Sequence, residues 1–329
     1  MAAESSVPPT AVSRSVFSLS CFAVLVAAFA MQRREQRREP PLVGLSSKRN
    51  NYTFEGRPLT ALDASQRLFW VEDFLTEQEV NILRSVGAAN PGAFEAEDRL
   101  DYATATLPRD NEVTREIEER IASLSGIAVN EVDSPIHLAV TRTWEPTRPN
   151  CFNLHHDTHK GFAERVATVL MFLSDGDADG LDGGDTIFPC LVPAGATAEE
   201  RQRSTEPPPD LCARLTDGFE RGERFLRINS ASHDKPSFDA AASSAASDAC
   251  AGPRSGPQSG GRGIRVQPRR GAAIFFWSAD VEDGSPAAAG GDATPIAAHP
   301  EMWHGGCRVH AGAKWTAQQF KAWQAHDHR

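Results

Sequence analysis

The run Arg165–Asp175, "RVATVLMFLSD", is the most strand-like stretch of this 329-residue chain. Its β-branched and large apolar residues give way to Ser and Asp, which favour turns. Similar short runs, bounded by Gly, Pro or Asp, lie on both sides of it: "IHLAVTRTW" from Ile136, "GGDTIFP" from Gly183, "IRVQP" from Ile264 and "GAAIFFWS" from Gly271. Such a series of short strands predicts a β-sandwich or jelly roll.

Two helices are expected before these strands. In "LTEQEVNILRSVG", Thr76 and Glu79 have the spacing of a capping box, which satisfies backbone donors at a helix start. In "NEVTREIEERIASLSG", apolar residues recur at helical spacing and Gly126 is a stop signal. The sequence therefore predicts a mainly β fold with flanking N-terminal α-helices.

The charge balance argues against one class of partner. The chain has 34 Lys and Arg against 44 Asp and Glu, a net charge of -10. A nucleic-acid backbone would find no broad basic surface on such a protein, so we expect no nucleic-acid partner.

The N-terminus carries an apolar run of sixteen residues, Val16–Met31. As a helix it would span about 24 Å, somewhat less than the ~30 Å core of a bilayer. A single-pass signal-anchor is one interpretation. A cleaved signal peptide is another, because Ala28-Phe29-Ala30 has the small-x-small form of a cleavage site. We assign residues 1–62 to this segment and a polar linker, and residues 63–329 to one folded domain.

Location in the cell is predicted from two opposed signals. Arginines follow the apolar run, which by the positive-inside rule favours a cytosolic domain. Asn51-Tyr52-Thr53, however, is an N-glycosylation sequon, which favours a lumenal one. We expect an endoplasmic reticulum or Golgi membrane glycoprotein with residues 63–329 in the lumen, or a protein of the secretory lumen after signal cleavage.

A low-complexity insertion is expected at about 191–263, because its second half is rich in Ser, Ala, Gly and Pro. Deletion of residues 230–262 is therefore predicted to leave folding intact. Six cysteines permit one or two disulfides in an oxidising compartment, without indicating their pairing: Cys21, Cys151, Cys190, Cys212, Cys250 and Cys307.

A candidate metal site begins in "CFNLHHDTHKG", residues 151–161. His155 and Asp157 form a His-x-Asp pair, and His304 in "MWHGGCRVHAGAKW" supplies a distant histidine. Two histidines and one carboxylate bind non-haem Fe(II) and leave coordination positions open. Lys314, ten residues after His304, could anchor a dicarboxylate.

The other histidines near these motifs are alternative metal ligands. His156 is expected on the opposite face of a strand, because successive side chains alternate. A zinc pair of His155 and His159 on a helix would lack the HExxH acid. His299 and His310 are alternatives to His304 as the distant histidine, and the resemblance given next favours His304 because it has a lysine at the offset usual in that family.

Taken in order, these motifs resemble the Fe(II)/2-oxoglutarate dioxygenases, and within them the prolyl 4-hydroxylase (procollagen-proline 4-dioxygenase) catalytic domain. The resemblance runs from about Leu68 to Trp323. It rests on "VEDFLTEQE", "EIEERIA", "FNLHHD", "RVATVLMFLSD", "GGDTIFP", "VQPRRGAAIFF" and "HGGCRVHAGAKW". It implies a double-stranded β-helix, or jelly-roll, core.

The resemblance also implies roles for individual residues. His155, Asp157 and His304 would bind iron. Lys314 and Thr186 would hold the distal carboxylate of 2-oxoglutarate. Phe152 stands where the family usually has Tyr, so a hydroxyl beside the cosubstrate is absent.

Two further residues, Arg165 and Thr168, match the family strand and are expected to support the site. Arg165 is the next candidate for the carboxylate anchor after Lys314.

The implied reaction is hydroxylation of peptidyl proline with O2 and 2-oxoglutarate, releasing succinate and CO2, with ascorbate as an accessory cofactor. An extended proline-rich peptide fits as substrate, because its polyproline II form is already ordered. The acidic residues Asp280, Glu282 and Asp283 would disfavour acidic peptides. The alternatives are oxidation of another residue or a free amino acid and, from another class, a non-catalytic metal-binding interaction module.

Overall fold

A computed structural model describes residues 53–89, 95–96, 102–130, 133–143, 151–158, 165–197, 211–222, 225–226, 249–250, 263–280 and 298–322. The helices are α1 (Glu77–Ala89), α2 (Glu112–Ser125), α3 (Gly176–Asp179) and α4 (Leu211–Glu220). The strands are β1 (Thr53–Phe54), β2 (Arg57–Pro58), β3 (Thr60–Ala61), β4 (Leu68–Val71), β5 (Glu95–Ala96), β6 (Tyr102–Thr106), β7 (His137–Arg142), β8 (Cys151–His155), β9 (Arg165–Phe172), β10 (Asp182–Gly183), β11 (Thr186–Phe188), β12 (Phe225–Leu226), β13 (Ile264–Val266), β14 (Ala273–Trp277), β15 (His304–Cys307), β16 (Val309–Ala311) and β17 (Ala313–Ala322).

Two antiparallel sheets form the core. The major sheet has eight strands in the order β3-β4-β14-β9-β17-β7-β6-β5, and the minor sheet has five in the order β12-β8-β15-β11-β13. Neighbouring strands in the sheets are frequently distant in sequence, as expected when a chain crosses between two sheets. This arrangement confirms the predicted mainly β, jelly-roll architecture with flanking helices.

Strand β14 explains why the major sheet is covered on both faces. Ala273, Phe275 and Trp277 belong to the apolar cluster shared with α1 and α2. Ile274 and Phe276, which point the other way, join a second cluster together with Phe172 and Phe188. Because side chains alternate along a strand, one continuous apolar run serves both layers.

The helix predictions are confirmed by their caps. Thr76 and Glu79 bond each other's backbone: the Thr76 N–H donates to Glu79 Oε2 (2.7 Å), and the Glu79 N–H donates to Thr76 Oγ1 (3.2 Å). Asn111 accepts from two N–H groups at the start of α2, and Gly126 ends that helix with φ 68°. Leu83 of α1 and Ile121 of α2 are fully buried against the major sheet.

The folded region begins before the predicted boundary at residue 63. All described residues belong to one compact unit. Within it, β3 pairs with β4, and Phe54 packs against Phe74 with ring centroids 5.6 Å apart. Residues 53–62, which the sequence analysis assigns to the linker, are thus ordered in part by pairing to a core strand.

The insertion is not merely a surface loop. Helix α4 buries Leu211, Leu215 and Phe219, and β12 pairs with β8 as an edge strand of the minor sheet. Composition averaged over 191–263 concealed this short amphipathic segment. Most of residues 227–262 lie outside the described part of the chain.

Two disulfides tie the insertion to the minor sheet. One joins Cys190 to Cys212, and the other joins Cys250 to Cys307 of β15. Cys250 lies within the stretch 230–262, so the prediction that this stretch can be removed without consequence needs correction.

We expect Cys250→Ala/Cys307→Ala to lower the free energy of unfolding by roughly 2–4 kcal/mol, because the bridge restricts a long loop of the unfolded chain. Urea unfolding under non-reducing conditions measures the change. Deletion of 230–248 keeps both cysteines and is the control, expected to leave the midpoint in place. A double variant as stable as the unaltered protein would contradict the expectation.

Within the described segments, no helix is long and apolar enough to cross a membrane. The apolar run Val16–Met31 and the sequon at Asn51 both lie outside those segments.

Candidate active site

Three predicted ligands meet where β8 and β15 pair. His155 ends β8, and His304 begins β15 directly opposite it. Asp157 follows β8, with its Oδ1 3.4 Å from His155 Nε2 and its Oδ2 3.6 Å from His304 Nε2. Ligands about 2.1 Å from one ion and at right angles lie about 3 Å apart, so these spacings suit a shared metal. The sequence separation of nearly half the chain is closed by sheet pairing.

The protonation states of His304 and Asp157 suit metal binding. Burial lowers the pKa of His304 to about 4, so its ring is neutral at pH 7. Its Nδ1–H donates to the Met302 carbonyl (3.0 Å), which leaves the lone pair of Nε2 toward Asp157. Burial alone would raise the pKa of Asp157, but the His304 and His155 rings and a hydroxyl hydrogen bond hold it below its usual range.

Thr168 is the source of that hydrogen bond. Its hydroxyl donates to Asp157 Oδ2 at 2.6 Å, across the cleft from strand β9 of the major sheet. The carboxylate is thereby oriented and one of its lone pairs satisfied. This agrees with the expectation that Thr168 supports the site.

Arg165 has a different position. Its guanidinium lies 4.0 Å from the centroid of the Phe320 ring, a cation–π contact. Arg165 is not among the residues that line the cleft described below. Its observed contact is with a side chain of strand β17.

The other histidines occupy separate positions. His156 points away from the ligands, and its Nε2–H donates to the His299 carbonyl (2.8 Å), as strand alternation predicts. His299 itself pairs with Asp280 (3.2 Å), and His310 is exposed. The zinc alternative required a helix at His155, which instead ends a strand. His159 lies outside the described residues.

Lys314 and Thr186 also come together as predicted. The Lys314 ammonium donates to Thr186 Oγ1 at 3.0 Å. Lys314 is 9% exposed, and burial lowers its pKa to about 8 against the opposing attraction of Asp185. A buried ammonium beside a hydroxyl can bind a carboxylate, with the hydroxyl hydrogen as a second donor.

Glycine makes room for this lysine. Gly184 has φ +72°, and a Cβ there would lie 3.3 Å from Lys314 Cδ. The "GG" of "GGDTIFP" is therefore required by backbone conformation and by close approach of β16 and β17. The similarity of this motif to the family motif does not by itself explain why glycine is needed here.

One cleft between the sheets is lined by the two histidine ligands and by the Lys314 anchor. It encloses about 710 Å³ including its open mouth. Its lining is formed by Ala139, Thr141, His155, Thr168, Leu170, Thr186, Phe276, His304, Gly305, Gly306, Cys307, Lys314, Thr316 and Gln318. The sequence analysis did not identify Thr316 and Gln318 as site residues. They lie two and four residues after Lys314 in "AKWTAQQ", a spacing that indicates a shared strand face. The side chain of Phe152 lies outside the described part of the chain.

Comparison with known proteins adds sequence relationships. No protein-family profile matches the chain. The chain is 24% identical to Probable prolyl 4-hydroxylase 8 of Arabidopsis thaliana over 277 residues, covering 80% of this chain and 71% of that protein. It is also 24% identical to Probable prolyl 4-hydroxylase 10 of the same plant over 304 residues, covering 84% and 80%.

Among solved structures, a viral collagen prolyl hydroxylase from Paramecium Bursaria Chlorella virus-1, in a 2OG complex, aligns with a TM-score of 0.41 and 15% identity. That alignment covers 78% of this chain and 97% of the viral one. The similarity to plant prolyl 4-hydroxylases thus extends across most of the sequence, and it agrees with the resemblance that the motifs indicate.

Proposed function

We propose that the protein hydroxylates proline within peptides, using O2 and 2-oxoglutarate and releasing succinate and CO2. The observation that carries the proposal is that both histidines of a two-histidine, one-carboxylate set line the same cleft as a buried Lys314–Thr186 pair. The first suits Fe(II), and the second suits the distal carboxylate of 2-oxoglutarate.

When bound, Fe(II) and 2-oxoglutarate together supply the chemistry that activates O2 and oxidises an unreactive C–H bond. The protein's own side chains would position the reactants and keep water away from them. His155, Asp157 and His304 would supply three ligands to the metal. Phe276 and Phe188 lie beside the His304 ring, with centroids 4.9 and 5.3 Å away, and exclude water from it.

The substrate class is tested by mass spectrometry of peptide panels incubated with protein, Fe(II), 2-oxoglutarate and ascorbate. We expect one added oxygen on proline in neutral or basic proline-rich peptides, whether collagen-like or cell-wall-like. Asp157→Asn, which keeps the side-chain volume, is the inactive control. Oxidation of free proline, lysine or another small amino acid, with none on any peptide, would contradict the peptidyl proposal.

Of the three acidic residues expected at the rim, the structure describes Asp280, whose Oδ1 lies 3.2 Å from His299 Nε2. Glu282 and Asp283 lie outside the described residues. The peptide panel should therefore include acidic flanking residues as a direct comparison.

Binding of 2-oxoglutarate should depend on pH through Lys314. Its pKa of about 8 in the free protein means that the ammonium is present below pH 8 and is lost above it. If only the ammonium form binds the carboxylate, the apparent Kd rises roughly tenfold between pH 7 and pH 9. Titrations of 2-oxoglutarate at both pH values measure this rise. A Kd that is flat across this range would show that the lysine remains charged.

We also propose a lumenal location in the endoplasmic reticulum or Golgi, with Val16–Met31 as a signal-anchor or a cleaved signal. The two disulfides support an oxidising compartment, and the sequon at Asn51 supports exposure to the glycosylation machinery. The expected result is a loss of mass on endoglycosidase treatment that disappears in Asn51→Gln. An unglycosylated cytosolic protein would contradict this proposal. Ascorbate dependence of turnover belongs to the same set of proposals and is tested by omitting it from the assay.

A further inference from the structure

Helix α4 lies behind the candidate metal centre, on the face of the minor sheet opposite to the cleft. Its buried residues Leu215 and Phe219 share an apolar cluster with Leu154 and Trp303. Leu154 immediately precedes His155, and Trp303 immediately precedes His304. Because side chains alternate along a strand, the ligands face the cleft while their sequence neighbours face α4.

His156 connects the helix to the ligands most directly, because it lies between His155 and Asp157 in sequence. Its ring is 1% exposed and lies 4.4 Å, centroid to centroid, from the ring of Phe219. The ring of Trp303 contacts the His156 ring edge-on, with the ring centroids 6.1 Å apart. The His156 ring therefore fills a pocket whose floor is supplied by the insertion.

Hydrogen bonds fix the orientation of His156 as well. The Thr158 N–H donates to His156 Nδ1 (3.1 Å), and His156 Nε2–H donates to the His299 carbonyl (2.8 Å). Both nitrogens are thus used, and the turn that carries Asp157 is bound to the segment that leads into β15. A change in the position of the His156 ring would shift Asp157 relative to His304.

A disulfide and a strand pairing hold α4 in this position. Cys212 of α4 is bonded to Cys190, just after β11. Beyond α4, β12 pairs with β8, with Phe225 opposite His155. The helix is therefore held at both ends to strands of the minor sheet.

We infer that Phe219 is a positioning residue for the metal centre, acting through His156, and that the insertion serves as its rigid backing. The inference rests on the proposed metal site. It accounts for a buried histidine between two ligands and for a disulfide-bound helix within an otherwise polar insertion.

The test compares metal affinity among variants of the full-length protein, with Co(II) as the probe in the absence of 2-oxoglutarate. Phe219→Ala should weaken Co(II) binding roughly 10- to 100-fold, the range found when groups that orient metal ligands are removed, and should alter the visible spectrum of the bound ion. Phe219→Leu, which keeps most of the apolar volume, provides a milder variant if the alanine form folds poorly. Its effect should have the same direction.

Leu83→Ala is the matched control, because it truncates a buried residue of α1, which belongs to the apolar cluster of the major sheet and not to the one behind the ligands. It should lower the melting temperature comparably to Phe219→Ala and leave Co(II) affinity within about threefold. Equal weakening in Leu83→Ala and Phe219→Ala would overturn the inference by showing general loosening, and unchanged affinity in both Phe219 variants would overturn it as well. If the unaltered protein binds Co(II) no more tightly than His304→Ala, the proposed metal site fails, and the inference fails with it.

Discussion

Alanine in place of His155 or His304, or asparagine in place of Asp157, is expected to abolish succinate formation. Each residue supplies one of the three protein donor atoms that lie within 4.8 Å of one another, and a site with two of the three should not retain Fe(II). Asp157→Asn is the sharpest of these changes because it removes the buried negative charge while keeping the shape. The measurement is succinate production with excess Fe(II), together with metal content after desalting.

His310→Ala is the appropriate control for this series, because His310 is exposed and lies on β16 outside the ligand set. His156→Ala is not a suitable control, although His156 lies outside the ligand set. That ring is buried and hydrogen-bonded, and its removal would leave a cavity beside Asp157. Full activity in His304→Ala, or equal loss in His310→Ala, would contradict the ligand assignment.

Lys314→Ala is expected to raise the 2-oxoglutarate requirement by about tenfold or more. The buried ammonium should make a charge-assisted contact worth roughly 1.5–3 kcal/mol with the distal carboxylate. Its loss also leaves Thr186 as the remaining donor of the pair. The measurement is the KM for 2-oxoglutarate at saturating peptide, with direct titration as support.

Thr186→Val provides the graded comparison, since it removes a neutral hydroxyl of similar volume and should have a smaller effect than Lys314→Ala. Phe152→Tyr is expected to lower the requirement by restoring the hydroxyl that related enzymes carry. An unchanged requirement in Lys314→Ala would place the anchor elsewhere. Arg165, the alternative suggested by sequence, is committed to the Phe320 ring.

The strands were predictable because their residues encode local preferences. The runs at β9 and β14 combine β-branched and aromatic residues with turn residues at their ends, and the capping box at Thr76 and Glu79 marks α1 without reference to the rest of the molecule. The ligand set was predictable for a different reason. His-x-Asp places two donors on one side of a turn, and the lysine ten residues beyond His304 distinguishes that histidine from His299 and His310.

By itself, then, the sequence determined the fold class, the position of the two flanking helices and the identity of the candidate donors and anchor. Only the tertiary structure decided which cysteines pair, that Thr168 orients Asp157, and that α4 lies behind His156. Those contacts join residues far apart in the chain, and nothing in the local composition of either partner records the other. The short amphipathic helix α4 lies within a polar insertion, and its apolar side is buried because it packs against a face of the minor sheet.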